Sequence, residues 1–175
     1  MTRARALAGA VLAALLVAGC SAGAPAGSTA PGSVAPAGLS VAYRAQDLDT
    51  QADVSVADLA GKPALLASWA VWCTDCIEEL PALEAWWTAH PDALQLVAVN
   101  VDSSRIPAVR RARSDHLSMG LWHDPGNAFS RVFGLPGIPG WVLLDAQGQV
   151  VKVGVGALDP ATTAFTELLA SVGAS

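Results

Sequence analysis

Two cysteines lie three residues apart in a setting that favours redox chemistry. Cys73 and Cys76 follow an apolar run over 64–70, which predicts a buried strand, and precede residues with helical spacing. Cys73 is therefore expected at the N-terminus of a helix, where free N–H groups and the helix dipole stabilise a thiolate. Cys76 falls one turn later on the same face. The pattern predicts thiol–disulfide exchange, with Cys73 as the exposed attacking thiol and Cys76 as the buried resolving thiol.

The same spacing is compatible with two structural roles for the pair. It could form half of a zinc site, with His116 and His123 as further ligands, although the sequence contains no second cysteine pair. It could also form a structural disulfide, because an oxidising compartment pairs spare thiols. Spacing alone leaves both roles open.

The third cysteine, Cys20, follows an N-terminal leader. Arg3 and Arg5 precede an apolar run over 6–18. This run fits the core of a secretory signal, roughly 7 to 15 residues, better than a membrane span of roughly 20. It ends in VAGC, 17–20, which resembles the lipobox of bacterial lipoproteins, where the cysteine is diacylated and becomes the mature N-terminus. Cys20 is thus predicted to carry a lipid anchor. An ordinary secretory signal with an incidental cysteine is the alternative.

The chain divides into three predicted regions. Residues 1–19 form the signal peptide. Residues 20–38 comprise the lipidated cysteine and a stretch of Ala, Gly, Pro, Ser, Thr and Val with no large apolar side chain, so a flexible linker is expected. Residues 39–175 are long enough for one folded domain.

Composition excludes some functions. The chain has 15 acidic and 10 basic residues, a net charge of −5, which argues against a nucleic-acid-binding surface. A hydrophobic fraction of 53% argues against a wholly disordered protein. The sequence predicts no metal site and no cofactor, and a monomer is expected.

Apolar periodicity predicts an α/β fold with a mixed sheet. Strands are expected over 64–70, 94–101, 141–144 and 150–155, and helices over 75–90, 106–116, 127–133 and 159–170. Asp159 and Pro160 are expected to open the last helix as its N-cap and first residue. Strand–helix alternation followed by a hairpin and a helix gives the fold class.

The string WAVWCTDC, 69–76, is similar to the active-site segment of the thioredoxin-like family. With GK at 61–62 and ELP at 79–81, the chain resembles the TlpA/ResA/DsbE-like group of membrane-tethered thiol–disulfide oxidoreductases over roughly residues 40–170. The resemblance implies a thioredoxin-like fold with a mixed central sheet and an N-terminal extension. It also implies an inserted element between the central βαβ unit and the C-terminal hairpin.

The segment GLPGIPGWVLLD, 134–145, resembles the block of this group that carries a cis-proline, and it places Pro139 at that position. A cis-proline presents the main chain of the preceding residue, so Ile138 is expected to bond an extended client. An ordinary turn proline is the alternative. Trp72 is expected to form a flat apolar rim beside Cys73.

Glu79 matches a glutamate that the group uses for proton handling near the buried cysteine. A buried carboxylate has a raised pKa and can exchange a proton near neutral pH. A solvated helix glutamate is the alternative. Four other tryptophans, Trp69, Trp86, Trp87 and Trp141, are expected in the core. The histidines His90, His116 and His123 are expected on the surface or in loops.

The chain departs from the group's pattern between the cysteines, where Thr74 and Asp75 stand instead of a pair ending in proline. The charge of Asp75 disfavours a thiolate and favours the disulfide, so a low reduction potential is expected. Ser68 and Gly140 also replace more typical residues, which leaves the specificity open.

Together these features predict an extracytoplasmic oxidoreductase that reduces disulfides in protein clients and is re-reduced by a membrane thiol donor. By resemblance, apocytochrome c is a candidate client. The alternatives are a disulfide-forming oxidase of secreted proteins and a lipoprotein that carries a metal. A peroxiredoxin-type peroxidase is disfavoured, because its cysteine lies in a proline- and threonine-rich loop.

Overall fold

The computed structural model describes residues 42–174. The predicted signal peptide, Cys20 and the linker to residue 38 lie outside these residues. None of the helices in the described part of the chain combines the length and the apolar character that a bilayer span requires.

Within the described residues, seven strands form one mixed sheet in the order β2-β1-β5-β4-β3-β6-β7. The strands are β1 Arg44–Asp47, β2 Asp53–Ser55, β3 Ala64–Trp69, β4 Gln95–Asn100, β5 Gly120–His123, β6 Gly140–Leu144 and β7 Val150–Val155. The helices are α1 Thr74–Ala89, α2 Arg105–Ser114, α3 Ala128–Phe133 and α4 Thr163–Ala170. This is the predicted thioredoxin-like fold, in which β1 and β2 form the N-terminal extension. The inserted element comprises α2, β5 and α3.

The central strands are apolar because both of their faces are covered. β3 is buried along its whole length, and its alternate residues contact two different clusters. Leu65 and Ala67 pack with apolar residues of α1, α2 and α4. Leu66 packs on the other side with α3 and with the aromatic ring of Tyr43. Burial on both sides accounts for the continuous apolar runs in the sequence.

The pairing of the strands places several chain segments at one end of the sheet. β3, β4 and β5 are parallel, and their last residues are Trp69, Asn100 and His123. β6 is antiparallel to β3, so it begins at this end with Gly140, and its partner β7 finishes there with Val155. We call this the site end of the sheet. The opposite end carries the turn between β6 and β7.

Two local predictions are wrong. The last helix begins at Thr163 rather than at Asp159–Pro160, and the Thr162 hydroxyl accepts the Phe165 N–H at 3.3 Å as the N-cap. Asp159 instead closes a turn before the helix, because its Oδ1 accepts the Ala161 N–H at 2.9 Å. His123 is also not a surface residue, since it lies buried at the end of β5, a strand that the apolar pattern did not predict.

The four tryptophans expected in the core and the two remaining histidines are placed as follows. Trp69 is buried as expected, whereas Trp86, Trp87 and Trp141 are half-buried against the same cluster. His90 is exposed and stacks on Trp86, and His116 is exposed after α2, so both lie at the surface as predicted.

Candidate active site

Cys73 and Cys76 are joined by a disulfide at the start of α1, with 5.3 Å between their Cα atoms. Cys73 is the N-cap of the helix, and its Sγ accepts the Cys76 N–H at 3.3 Å. The pairing and the place at the helix N-terminus are both as predicted. At this position, free N–H groups and the helix dipole favour negative charge on Cys73 once the disulfide is reduced.

The two sulfurs are not equally accessible. Cys76 is 1% exposed, in agreement with a buried resolving thiol. Cys73 is 9% exposed, so it is the more accessible of the two, but the expectation of an exposed thiol is wrong for this disulfide form. In this form Cys73 Sγ is bonded to the sulfur of the buried Cys76 and also accepts the Cys76 N–H, so the side chain lies against the first turn of the helix.

Trp72, which precedes Cys73, points into solvent with 69% of its surface exposed. The main chain around it is fixed at two points. The Cys73 N–H donates to the Ala70 carbonyl at 3.1 Å, and the Val71 N–H donates to Asp102 Oδ2 at 2.9 Å. These bonds hold the main chain on both sides of an exposed indole that is next to Cys73 in the sequence, and the role of Trp72 as an apolar rim stays a prediction.

The Ile138–Pro139 peptide is cis, as predicted. Pro139 is buried and Ile138 is half-buried against the cluster that contains both cysteines. The Gly156 N–H donates to the Pro139 carbonyl at 2.9 Å, which attaches this segment to the end of β7. The structure thus brings Pro139 to the site end of the sheet, together with the disulfide.

Ser68 and Gly140, the two departures from the group's pattern, are hydrogen-bonded to each other. They face one another across β3 and β6. The Ser68 hydroxyl donates to the Gly140 carbonyl at 2.9 Å and accepts the Gly140 N–H at 2.9 Å. A Cβ at residue 140 would lie 3.0 Å from the Gly137 carbonyl oxygen, so glycine fits this close approach.

Glu79 lies one turn after Cys76, and both residues are on the buried side of α1. Its side chain is 7% exposed, and its Oε1 has no hydrogen-bond partner among the described residues. Burial raises the pKa of Glu79 to about 7, and the Leu158 main-chain N–H opposes this rise only in part. This agrees with the predicted buried, titratable carboxyl group. A groove of about 370 Å³ runs past it, lined by Asp75, Glu78, Glu79, Ala82 and residues 157–159.

A buried polar network behind the active-site loop was not predicted. Asp102 Oδ2 accepts the Asn100 Nδ2–H at 2.7 Å as well as the Val71 N–H. The Asp102 carbonyl lies 2.9 Å from His123 Nε2. The signal for this network is the polar pair Asn100 and Asp102 directly at the end of a buried strand.

The structure does not assemble the ligands of the alternative zinc site. Cys73 and Cys76 are bonded to each other, and His123 is engaged with the Asp102 carbonyl. In residues 42–174, no group of three or more His, Cys, Asp and Glu side chains has the geometry to hold a metal ion.

Comparison with known proteins supports the same chemistry. The sequence profile of the Redoxin family matches residues 25–169. The chain belongs to the redoxin family. This match covers most of the chain and includes both cysteines, Glu79 and Pro139.

Several relatives are thiol–disulfide oxidoreductases. The chain is 26% identical over 126 residues to ResA of Halalkalibacterium halodurans, across 71% of each protein. It is 29% identical over 108 residues to sporulation thiol-disulfide oxidoreductase A of Bacillus subtilis, across 59% of this chain and 65% of that protein.

A solved structure is similar over nearly its whole length. The crystal structure of a thiol:disulfide interchange protein DsbE from Chlorobium tepidum superposes with a TM-score of 0.67 and 25% identity. The superposition covers 81% of this chain and 97% of that one. The chain is therefore a thiol–disulfide oxidoreductase of the ResA and DsbE type, with Cys73 and Cys76 as its cysteine pair.

Proposed function

We propose that this oxidoreductase reduces disulfides in protein clients outside the cytoplasm. The observation that carries the proposal is the Cys73–Cys76 disulfide at the N-terminus of α1, with the carboxylate of Asp75 in the first turn between the two cysteines. A negative charge at this point opposes thiolate formation and favours the disulfide. The reduced protein is therefore expected to give up its electrons readily.

The exchange proceeds in two steps. The Cys73 thiolate attacks one sulfur of the client disulfide, so that a mixed disulfide forms and the second client sulfur leaves as a thiolate. Cys76 then loses its proton and attacks Cys73 Sγ, which forms the Cys73–Cys76 disulfide and releases the first client sulfur. Two electrons pass from the dithiol to the client, which leaves as a dithiol after taking up protons. An external dithiol must restore the reduced pair.

Glu79 is proposed as the proton acceptor for Cys76 in the second step. Both side chains are buried on the same side of α1, where bulk water does not reach Cys76 freely. Because burial raises the pKa of Glu79 to about 7, the carboxyl group can accept and return a proton near neutral pH.

Client binding is assigned to Trp72, Ile138 and Pro139. Trp72 offers exposed apolar surface beside the nucleophile, and the main chain of Ile138 lies at the same end of the sheet. An extended client segment that bonds to Ile138 places its disulfide against Cys73. Since main-chain bonds carry little sequence information, several clients of different sequence are expected.

The direction of electron flow is tested by the reduction potential of the Cys73–Cys76 pair. Equilibration of the purified protein with glutathione buffers is expected to give a value closer to thioredoxin, about −270 mV, than to the strong oxidant DsbA, about −120 mV. A value near that of DsbA would contradict the reductase and favour the alternative, a disulfide-forming oxidase.

Location is proposed from the leader. The apolar run over 6–18 and Cys20 support a domain that lies outside the cytoplasm and is held to the bacterial membrane by two acyl chains. A membrane protein with a reduced dithiol is the proposed electron donor. Growth of producing cells with radiolabelled palmitate is expected to label the wild type and not a Cys20→Ala variant. Equal labelling of both proteins would contradict the anchor.

Apocytochrome c is the proposed client by resemblance, and the chain is proposed to act as a monomer without nucleic acid. Incubation of the reduced protein with a disulfide-bonded CXXCH peptide is expected to yield the peptide dithiol. If the protein reduces insulin but does not reduce this peptide, the result would contradict apocytochrome c as the client but not the proposed reduction of protein disulfides.

Stoichiometric copper on the purified, reduced domain would instead favour the alternative function, a lipoprotein that carries a metal.

A further inference from the structure

Two short stretches of main chain flank the disulfide. Each stretch is hydrogen-bonded to a different buried polar side chain. The first stretch, 70–73, leads from β3 to the nucleophile. The second stretch, 138–140, contains the cis peptide and opens β6. Both must keep their positions if Cys73 is to meet a client sulfur bound against Ile138, since small misplacements of reacting groups slow a reaction strongly.

Asp102 holds the first stretch. It is 6% exposed, and its Oδ2 accepts the Val71 N–H at 2.9 Å and the Asn100 Nδ2–H at 2.7 Å. Its main chain is fixed as well, because its N–H donates to Asn100 Oδ1 at 3.2 Å and its carbonyl bonds His123. No Lys or Arg of residues 42–174 forms a salt bridge with this carboxylate. A buried carboxylate without a cation is costly, and here it fixes the main chain two residues before the nucleophile.

Ser68 holds the second stretch. It is 1% exposed, and its hydroxyl donates to the Gly140 carbonyl and accepts the Gly140 N–H, both at 2.9 Å. Gly140 follows Pro139 directly, and a Cβ there would meet Leu135 Cδ1 at 3.1 Å. The serine hydroxyl and the glycine therefore fit as a pair, and together they fix the residue after the cis peptide.

We propose that Asp102 and Ser68 are positioning residues with separable effects, an inference that rests on the proposed reduction of protein disulfides. Asp102 places the nucleophile, so it affects the rate of attack within the bound complex. Ser68 places the main chain on which the client lies, so it affects the affinity for the client. A purely structural role would lower the stability of each variant without separating these two kinetic constants.

Single-turnover oxidation of the reduced full chain by insulin, followed by tryptophan fluorescence, measures both constants. Asp102→Ala is expected to lower the limiting rate about tenfold and to leave the half-saturating insulin concentration unchanged. Ser68→Ala is expected to raise the half-saturating concentration about tenfold and to keep the limiting rate within about twofold.

Two control variants test whether the effect of Asp102→Ala comes from the lost hydrogen bonds. The first removes only the charge of Asp102, and the second removes a carboxylate far from the site. Asp102→Asn keeps an oxygen that can accept the Val71 N–H and the Asn100 Nδ2–H, so this variant is expected to react at about the wild-type limiting rate. Asp145 is a matched carboxylate at the opposite end of the sheet, where its Oδ1 accepts the Gln147 and Gln149 N–H groups, each at 2.9 Å. Asp145→Ala is expected to leave both constants unchanged. If Asp102→Ala does not fold, Asp102→Ser replaces it, since serine is too short to reach the Val71 N–H.

The proposal is overturned if the folded Asp102→Ala or Asp102→Ser variant reacts at the wild-type limiting rate. It is also overturned if Asp102→Asn is as slow as Asp102→Ala, or if Ser68→Ala leaves the half-saturating concentration unchanged. A wild-type chain that does not reduce insulin contradicts the proposed function itself, whereas an active wild type with unaffected variants contradicts only the positioning roles.

Discussion

At the site end of the sheet, large apolar side chains are exposed and polar groups are buried, whereas the opposite end shows the usual arrangement. Four of the five large apolar residues exposed in the described part of the chain lie at the site end: Val71, Trp72, Ile106 and Val155. The same end buries the carboxyl, amide and imidazole groups of Glu79, Asn100, Asp102 and His123.

The opposite end keeps its charges in water. Lys62 donates to the Pro91 carbonyl at 3.0 Å and pairs with the fully exposed Asp92 at 3.7 Å. The turn between β6 and β7 is closed by the Asp145 carboxylate. Function is found at the end of the sheet where burial preferences are inverted. Stability alone would favour neither an exposed tryptophan nor a buried glutamate whose Oε1 has no hydrogen-bond partner among the described residues.

Loss of the Cys73 thiol is expected to abolish the chemistry at the site end almost completely. Cys73→Ser is expected to lower insulin reduction at least about a thousandfold, since the nucleophile is lost. Turbidity of insulin in the presence of dithiothreitol, corrected for the uncatalysed rate, measures the activity. A variant that keeps a tenth of the wild-type rate would show that Cys73 is not the attacking thiol.

Trp69 and Trp72 are three residues apart, but Trp69 is buried and Trp72 is exposed. Substitution of Trp69 is therefore expected to affect the stability of the fold, and substitution of Trp72 is expected to affect client binding. Trp69→Ala is expected to lower the free energy of unfolding by about 3 to 5 kcal/mol, because the side chain is fully buried. Trp72→Ala is expected to change it by less than about 0.5 kcal/mol and to weaken the binding of protein clients. Urea unfolding of the oxidised proteins measures the first effect. Equal losses of stability would contradict the assignment of Trp72 to the client surface.

Glu79→Gln tests the buried carboxyl group through the pH dependence of stability. The pKa of Glu79 is about 7 in the folded protein against 4.5 for the free side chain, so the folded state binds more protons between these values. Stability of the wild type therefore falls as the pH rises from about 4.5 to about 7. The variant lacks this loss and is expected to be more stable above pH 7 by up to about 3 kcal/mol, with little difference below pH 4.5.

The control is Glu78→Gln, which changes the exposed neighbour on the same helix and is expected to show no such pH-dependent difference. Urea unfolding of the oxidised proteins at a series of pH values measures both. Parallel stability curves for Glu79→Gln and the wild type across this range would contradict a raised pKa.

The fold could be predicted from the sequence where apolar patterns are long. β3, β4, α1 and the hairpin of β6 and β7 lie close to their predicted ranges. β1, β2 and β5 were not predicted, because strands of three or four residues carry too little periodicity. The last helix was placed too early, since Asp159 and Pro160 form a turn with the composition of a helix start.

The parts of the site that could be predicted are those that stand in local sequence patterns. The cysteine pair, Glu79 and Pro139 stand in local motifs. The bonds of Asp102 to Val71 and of Ser68 to Gly140 join residues 31 and 72 positions apart, so they depend on the pairing of strands and not on local spacing. His123 was misplaced because its burial depends on β5.

The charge of Asp75 is expected to change the reduction potential of the cysteine pair only slightly. Asp75→Asn removes a negative charge from the first turn of α1 and is expected to raise the reduction potential by about 10 to 20 mV, since an exposed charge is well screened. Glutathione equilibration measures the shift. Asp92→Asn, which removes an exposed charge at the opposite end, is the matched control and is expected to have no effect. An unchanged potential in Asp75→Asn would show that the charge of Asp75 does not contribute to a low reduction potential.

Trapping the mixed disulfide on Cys73 tests directly whether this residue attacks protein disulfides. In a Cys76→Ser variant the first attack can occur but the resolving step cannot, so cells that produce it are expected to contain protein clients joined to Cys73. Non-reducing electrophoresis and mass spectrometry identify the linked residue, and Cys73→Ser is the control that should yield none. Adducts in both variants, or in neither, would contradict the account of Cys73 as the attacking thiol of a protein disulfide reductase.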